Sequence, residues 1–230
     1  MRTSSEDHTG AELDVPMIAA ASIPHPAPDR FSILFVCTGN ICRSPFAEYL
    51  ARSVIDQQLG ANCGKIVISS AGTHALQGSA MDPHVEAELR GMGLDGDGFT
   101  AKRLTTSHLQ DADLVLTAEL PHRAAVVEQH APALRTTFSM LEFAHLLAST
   151  DLSGHALPAD PVQRAREVVR IGRNRRGVVR PARHREIPDP FRKGAETHRL
   201  VTALITYAVR NAVSALWSVD SSSSPSTAGR

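Results

Sequence analysis

Short apolar runs alternate with stretches of helical spacing through the middle of the chain. Phe31-Ser32-Ile33-Leu34-Phe35-Val36 is apolar, partly β-branched, and stops at a Gly-containing loop, which predicts a buried strand. A helix is predicted next, with Ser44 as its cap, Pro45 in its first turn, and Phe46, Leu50, Val54 and Ile55 at roughly helical spacing up to Gly60. Lys65 to Ser70 predicts a second strand, Asp82 to Gly91 a second helix with Pro83 near its start, and Asp113 to Thr117 a third strand. A helix from about Leu120 to Gln129, a fourth strand at Arg135 to Ser139 and a short helix from Leu141 to Leu147 follow. The last predicted helix is longer, with an apolar stripe of Leu200, Leu204, Ala208, Ala212 and Leu216 widened by Val201, Ile205 and Val209. Strands alternating with helices imply an α/β three-layer sandwich around a mostly parallel four-stranded sheet.

The pattern fails at both ends and once inside. Residues 1–30 mix acids, small residues and prolines without a period and read as a disordered leader; residues 219–230 read as a low-complexity, disordered tail. This leaves one domain at 31–218, in keeping with a chain of 230 residues. Between Ala148 and Glu186 nine arginines fall from Arg164 to Arg185, with Gly172 and Gly177 among them, and the stretch reads as a long, solvated surface insertion. No Phe, Tyr or Trp is interleaved there to stack on bases, which argues against nucleic acid as a partner.

Composition narrows the class. Lys and Arg total 24 and Asp and Glu total 24, so no net field drives the molecule onto an acidic surface. The apolar runs Ile33 to Cys37 and Ala203 to Ala208 are far shorter than the roughly 18 residues that span a bilayer, and acids precede the small run at Met17 to Ala21, unlike an export signal. No membrane partner is expected. Three cysteines do not make a disulfide framework and suggest catalytic or metal chemistry in a reducing, cytoplasmic setting.

The chemistry concentrates in Val36-Cys37-Thr38-Gly39-Asn40-Ile41-Cys42-Arg43-Ser44-Pro45, between the first strand and the first helix. Ligands bind beyond the carboxyl ends of strands in open α/β sheets, and a helix N-terminus there offers N–H groups to an anion such as phosphate. The loop has no Gly-Lys-Ser/Thr ending and no Gly-x-Gly-x-x-Gly, which sets nucleotide loops aside. Cys37 instead supplies a nucleophile whose thiolate form is favoured by backbone N–H groups and a guanidinium, and Arg43 supplies a planar fork for phosphate oxygens. Gly39 is expected to let the loop turn tightly; Asn40 is expected to tolerate unusual backbone angles or to tie the loop.

Cys-Thr-Gly-Asn-Ile-Cys-Arg-Ser-Pro at this junction resembles the active-site loop of the low-molecular-weight protein tyrosine phosphatases. Ser70-Ala71-Gly72-Thr73, Ala112-Asp113-Leu114-Val115-Leu116 and Ile187-Pro188-Asp189-Pro190-Phe191 resemble further elements of that family. The resemblance spans about Phe31 to Leu147 and Glu186 to Leu216. It implies Cys37 as the nucleophile of a phosphocysteine intermediate, and Arg43 with the amides of Thr38, Gly39, Asn40, Ile41 and Cys42 as the phosphate site. Asp189 would be the general acid and then base; Asn40 and Ser44 would hold the loop, with Ser70 behind them. It implies no cofactor and no metal, and a phosphotyrosine-bearing protein as partner, a tyrosine kinase among the candidates. It also implies a reversible disulfide between Cys42 and Cys37; read without it, Cys42 is a small packed residue. Cys63 reads as incidental, a zinc site from the three cysteines is not expected from their spacing, and His74, His84 and His122 read as ordinary residues.

Three features depart from the family. Phe99 stands where many members have a histidine, Phe191 where a tyrosine is common, and the arginine-rich stretch precedes the acid loop. Phe191 keeps an aromatic wall for a phenyl ring. Ile41 occupies a position at which the similar phosphoarginine phosphatases tend to have threonine, and favours an aromatic leaving group. Alternatives to tyrosine phosphatase are a phosphoarginine phosphatase, an arsenate reductase, and a non-catalytic phosphoprotein-binding module. The relay cysteines of the thioredoxin-coupled reductases have no counterpart after Cys63.

Overall fold

Alternation along β1 (Phe31–Cys37) feeds two cores at once. Phe31, Ile33, Phe35 and Cys37 join one large cluster, while Leu34 and Val36 join a smaller one on the opposite face. A computed structural model describes residues 27–180 and 186–217; most of the predicted leader and the predicted tail lie outside the described residues.

All four strands are parallel. β2 (Ile66–Gly72) and β3 (Leu114–Thr117) flank β1, and β4 (Thr137–Ser139) lies beyond β3, giving the order β2-β1-β3-β4. The chain leaves β1 on one side and later returns on the other, so a crevice opens at the carboxyl end of β1, where Cys37 lies. The larger core is closed by α1 (Arg43–Leu59), α5 (Met140–Ala148), α6 (Pro161–Arg175) and α7 (Ala195–Trp217). The smaller is closed by α3 (Thr106–Gln110), α4 (Leu120–Gln129) and a 3₁₀ turn at Ala131–Arg135. Helix α2 (Pro83–Gly91), capped by the Asp82 carboxylate on the His84 N–H, stands beside α1 and α7.

Several expectations change. Helix α1 starts earlier than predicted, at Arg43 with Cys42 as its cap, so Ser44 lies inside the first turn and its hydroxyl turns to Cys37 instead. The stripe of α7 is rotated: Val201, Ile205, Ala208, Val209, Ala212, Val213 and Leu216 are buried, whereas Leu200 is 56% exposed. Helix α7 is, among the described residues, the one helix whose 23-residue length and apolar composition suffice to cross a membrane. Its buried face packs on α1, α5, α6 and α2 and belongs to the core.

The predicted surface insertion contains a packed helix, α6. Val162, Ala165, Val168, Val169, Ile171 and Gly172 of α6 are buried, one apolar face at helical spacing that the surrounding arginines obscure in the sequence. Gly172 permits a close helix crossing, since a Cβ there would meet the Phe143 ring at 3.3 Å. The arginines act as staples: Arg166 donates to Asp113 and to the carbonyls of Ala27, Pro28 and Arg30, tying down the end of the predicted leader. The Arg176 guanidinium lies 3.7 Å from the centre of the Phe138 ring and bonds Glu142.

Candidate functional site

The loop after β1 is fixed before any ligand arrives. Asn40 takes the left-handed conformation, φ 54°, that asparagine tolerates better than most residues. Its amide Nδ2 donates to Ser44 Oγ and to Ser70 Oγ, both at 2.8 Å, and its Oδ1 accepts the Lys102 N–H at 2.7 Å. Gly39, expected to let the loop turn tightly, has no positive φ, and a Cβ there would meet only ordinary contacts. The glycine that close packing demands is Gly72, where a Cβ would stand 2.4 Å from the Thr38 carbonyl oxygen.

A directed chain of hydrogen bonds ends at sulfur. Buried Glu48 accepts the Ser70 proton, which leaves Ser70 Oγ to accept from Asn40; Ser44 Oγ, also accepting from Asn40, lies 3.0 Å from Cys37 Sγ. With the thiol ionised, the Ser44 hydroxyl is the donor. Glu48 was not found from the sequence; as a carboxylate inside a helix it looks like any solvated charge. Phe99 packs edge-on against Tyr49 with centroids 6.1 Å apart, while the Lys102 backbone supplies the bond to Asn40 Oδ1.

Arg43 is 1% exposed and held from three directions. Its Nη1 donates to Glu119 Oε2 at 2.6 Å and to the Ile187 carbonyl at 3.0 Å; its Nη2 lies 3.0 Å from Asp189 Oδ1 and 3.4 Å from Thr38 Oγ1. The buried Nε has no hydrogen-bond partner among the described residues, an unmet donor of the kind that a bound anion satisfies. Glu119 is a second residue missed in the sequence, although its place just past the end of β3 is where such an element presents functional groups.

His122 corrects another expectation. Its Nδ1 accepts the Glu119 N–H at 3.1 Å, so the proton of the neutral ring sits on Nε2, which donates to Thr38 Oγ1 at 2.8 Å. Burial, and then the charge of Arg43, hold its pKa below the ordinary histidine value. His74, also read as ordinary, lines the cleft.

Asp189 reaches the site through its neighbours. Ile187 is fully buried, donates its N–H to the Ala118 carbonyl at 2.9 Å and gives its own carbonyl to Arg43, while Glu186 caps α4 at the Leu120 N–H. Two residues past this anchor the Asp189 side chain, 48% exposed, lies over the guanidinium. The cleft of about 130 Å³ is lined by Cys37, Thr38, Gly39, Ile41, Cys42, Arg43, His74, Leu76, Asp189 and Phe191. Asn40, Ser44 and Ser70 stand behind it, fully or almost fully buried. The Cys42 thiol is pushed far above the ordinary cysteine value by burial and then by the charge of Asp82, so it carries its proton.

Comparison with known proteins gives the family. The model of the low molecular weight phosphotyrosine protein phosphatase family matches residues 32–164, ending inside α6. Over 113 residues the chain is 33% identical to a protein-arginine-phosphatase of Geobacillus stearothermophilus, covering 49% of this chain and 71% of that protein. Over 184 residues it is 27% identical to the low molecular weight protein-tyrosine-phosphatase Wzb of Salmonella typhi, covering 80% of this chain and 93% of that protein. The structure of the tyrosine phosphatase Wzb from Escherichia coli K30 in complex with phosphate is similar, with a TM-score of 0.56 and 26% identity, covering 82% of this chain and 93% of that one.

Proposed function

The chain belongs to the low-molecular-weight phosphotyrosine protein phosphatase family, and on that premise we propose that it hydrolyses phosphotyrosine in proteins with Cys37 as nucleophile, Arg43 as phosphate clamp and Asp189 as general acid. The observation that carries this reading is the convergence of all three on one cleft, with the Arg43 Nε still unmet. The sulfur of Cys37 attacks phosphorus as the bond to the tyrosyl oxygen breaks, and Asp189 gives that oxygen its proton. Water then attacks phosphorus, returns a proton to Asp189 and releases the sulfur. The loop amides, Arg43 Nε and the edge of Nη2 would bind the phosphoryl oxygens, and a dianion there competes with Asp189 for Nη2, 3.0 Å from Asp189 Oδ1.

Ile41, Leu76 and Phe191 on the cleft walls favour a flat aromatic leaving group. The similarity to an arginine phosphatase keeps phosphoarginine as the second reading. The apolar Ile41 favours the first reading, because a guanidinium leaving group needs polar partners that Ile41 does not offer. The substrate protein is a phosphoprotein, with a tyrosine kinase the candidate partner and the cytoplasm the setting that three free cysteines support.

The test is phosphate release from matched phosphotyrosine and phosphoarginine peptides by the wild type, Cys37→Ser and Asp189→Asn. Turnover on phosphotyrosine that disappears in the first variant and slows by roughly 10²- to 10⁴-fold in the second supports the assignment. Preferential turnover of phosphoarginine replaces it with the second reading. Stoichiometric capture of either peptide without turnover leaves a phosphoprotein-binding module.

A further inference from the structure

The Cys42 thiol has no part in the chemistry above, and two other side chains converge on it. Cys42 caps α1, Asp82 caps α2, and His198 lies in the first turn of α7. One ligand atom from each lies within 4.8 Å of the other two. His198 is 1% exposed, and its buried Nε2 has no hydrogen-bond partner among the described residues, standing 3.4 Å from Asp82 Oδ1. Its Nδ1 is 3.2 Å from the Gly194 carbonyl, which can only accept, so Nδ1 donates, and in the neutral ring Nε2 then offers its lone pair to the cluster. A backbone carbonyl fixing one ring nitrogen while the other faces ligand groups is the arrangement that orients metal-binding histidines.

We propose that Cys42 Sγ, Asp82 Oδ1 and His198 Nε2 form a site for a divalent transition-metal ion of the zinc class, with water as the fourth ligand. The geometry is close to what such an ion needs. His198 Nε2 and Asp82 Oδ1 are 3.4 Å apart, the edge length of about 3.4 Å that tetrahedral bonds of about 2.0–2.2 Å impose. Cys42 Sγ closes the triangle by moving at most about 1 Å toward that edge.

The charges also balance. A thiolate and a carboxylate neutralise a divalent ion, and the imidazole joins without charge. Binding breaks the Cys42 S–H bond, releases that proton to solvent and forms the sulfur–metal bond. Mixed sulfur, nitrogen and oxygen donors select zinc-like ions over magnesium or calcium. Asp82 keeps its capping bond, since its Oδ1 accepts the His84 N–H at 2.9 Å with one lone pair and retains the other. The bound ion ties the phosphate loop to α2 and to α7, which otherwise approach it from distant parts of the chain. The site stands whether the substrate is phosphotyrosine or phosphoarginine.

The full chain is titrated with Co²⁺ under reducing conditions and followed by absorption. The expected result is one bound ion with a thiolate-to-cobalt charge-transfer band and tetrahedral d–d bands, both abolished by stoichiometric Zn²⁺. Cys42→Ser removes the charge-transfer band, whereas Cys37→Ser and Cys63→Ser keep it. His198→Gln and Asp82→Asn each weaken binding by more than the roughly 100-fold that is the upper end of what loss of an outer-shell partner costs. Absence of a charge-transfer band in the wild type overturns the proposal, as does a band that survives Cys42→Ser or that disappears with Cys37 or Cys63.

Discussion

The loop from Cys37 to Ser44 and the loop from Ile187 to Phe191 meet over the same cleft but are held very differently. In the first, Cys37, Asn40, Ile41, Cys42, Arg43 and Ser44 are all buried, and its side chains are bonded to Ser70, Glu119, His122 and the Lys102 backbone. In the second, Ile187 and Pro190 are buried while Pro188, Asp189 and Phe191 are exposed, and Arg192 just beyond takes a left-handed φ of 59°. Under the proposed mechanism the first loop is the half that meets the charge on phosphate, and donors that reorganise during a reaction lose much of their stabilising effect. The second, which would carry the acid, is anchored at Ile187 and Pro190 with Asp189 exposed between them, which leaves room for a substrate to enter beneath it.

The sharpest way to break the fixed half is Arg43→Lys. A lysine cannot reach Glu119, the Ile187 carbonyl and a phosphate together, and a fall in kcat/KM on the order of 10³-fold or more is expected in steady-state assays with a phosphotyrosine peptide. Ile187→Ala attacks the hinge of the other half. It opens a cavity at the anchor and costs about 2–4 kcal/mol in denaturant unfolding. Its kcat falls, yet alkylation of Cys37 by iodoacetate proceeds at the wild-type rate, because Ile187 touches the phosphate loop through its backbone carbonyl, which the substitution keeps.

A smaller effect is expected from Ser70→Ala, which leaves Glu48 and Asn40 each one partner short. The cost is about 1–3 kcal/mol of stability, with slower alkylation of Cys37 as the sign that the loop has loosened. The smallest effect is a pH slope. His122 and His108 both titrate below their ordinary value of 6.5, each mainly through burial. Just below that value the unfolded chain binds more protons than the folded one. Stability from these residues is therefore fully present above about pH 6.5 and is lost as pH falls through the window beneath it. Urea midpoints measured across that range decline toward acid in the wild type, and less steeply in His122→Gln.

The sequence was most legible where one local segment performs one task. The loop from Cys37 to Pro45 needs a strand before it and a helix after it, and both are encoded by adjacent residues. It was least legible where a residue works for a distant partner. Glu48 and His122 carry no local mark, and Glu119 only its place past the end of β3, because the bonds that matter join α1 to β2, α1 to the residue before α4, and α4 to the loop after β1. Helix α6 was obscured for a different reason: its arginines look solvated in sequence, and only the packed structure gives them Asp113, Glu142 and a row of backbone carbonyls as partners.

By itself the sequence determined the alternation of strands and helices, the parallel sheet and the family to which the loop after the first strand belongs, since periodicity and a contiguous motif are properties of neighbouring residues. Tertiary structure alone decided which way the Ser44 hydroxyl points, what holds Arg43, where Asp189 comes to rest, and that Cys42, Asp82 and His198 share one small volume. Each of these depends on distances between elements far apart in the chain, and those distances are set by how the helices pack on the sheet.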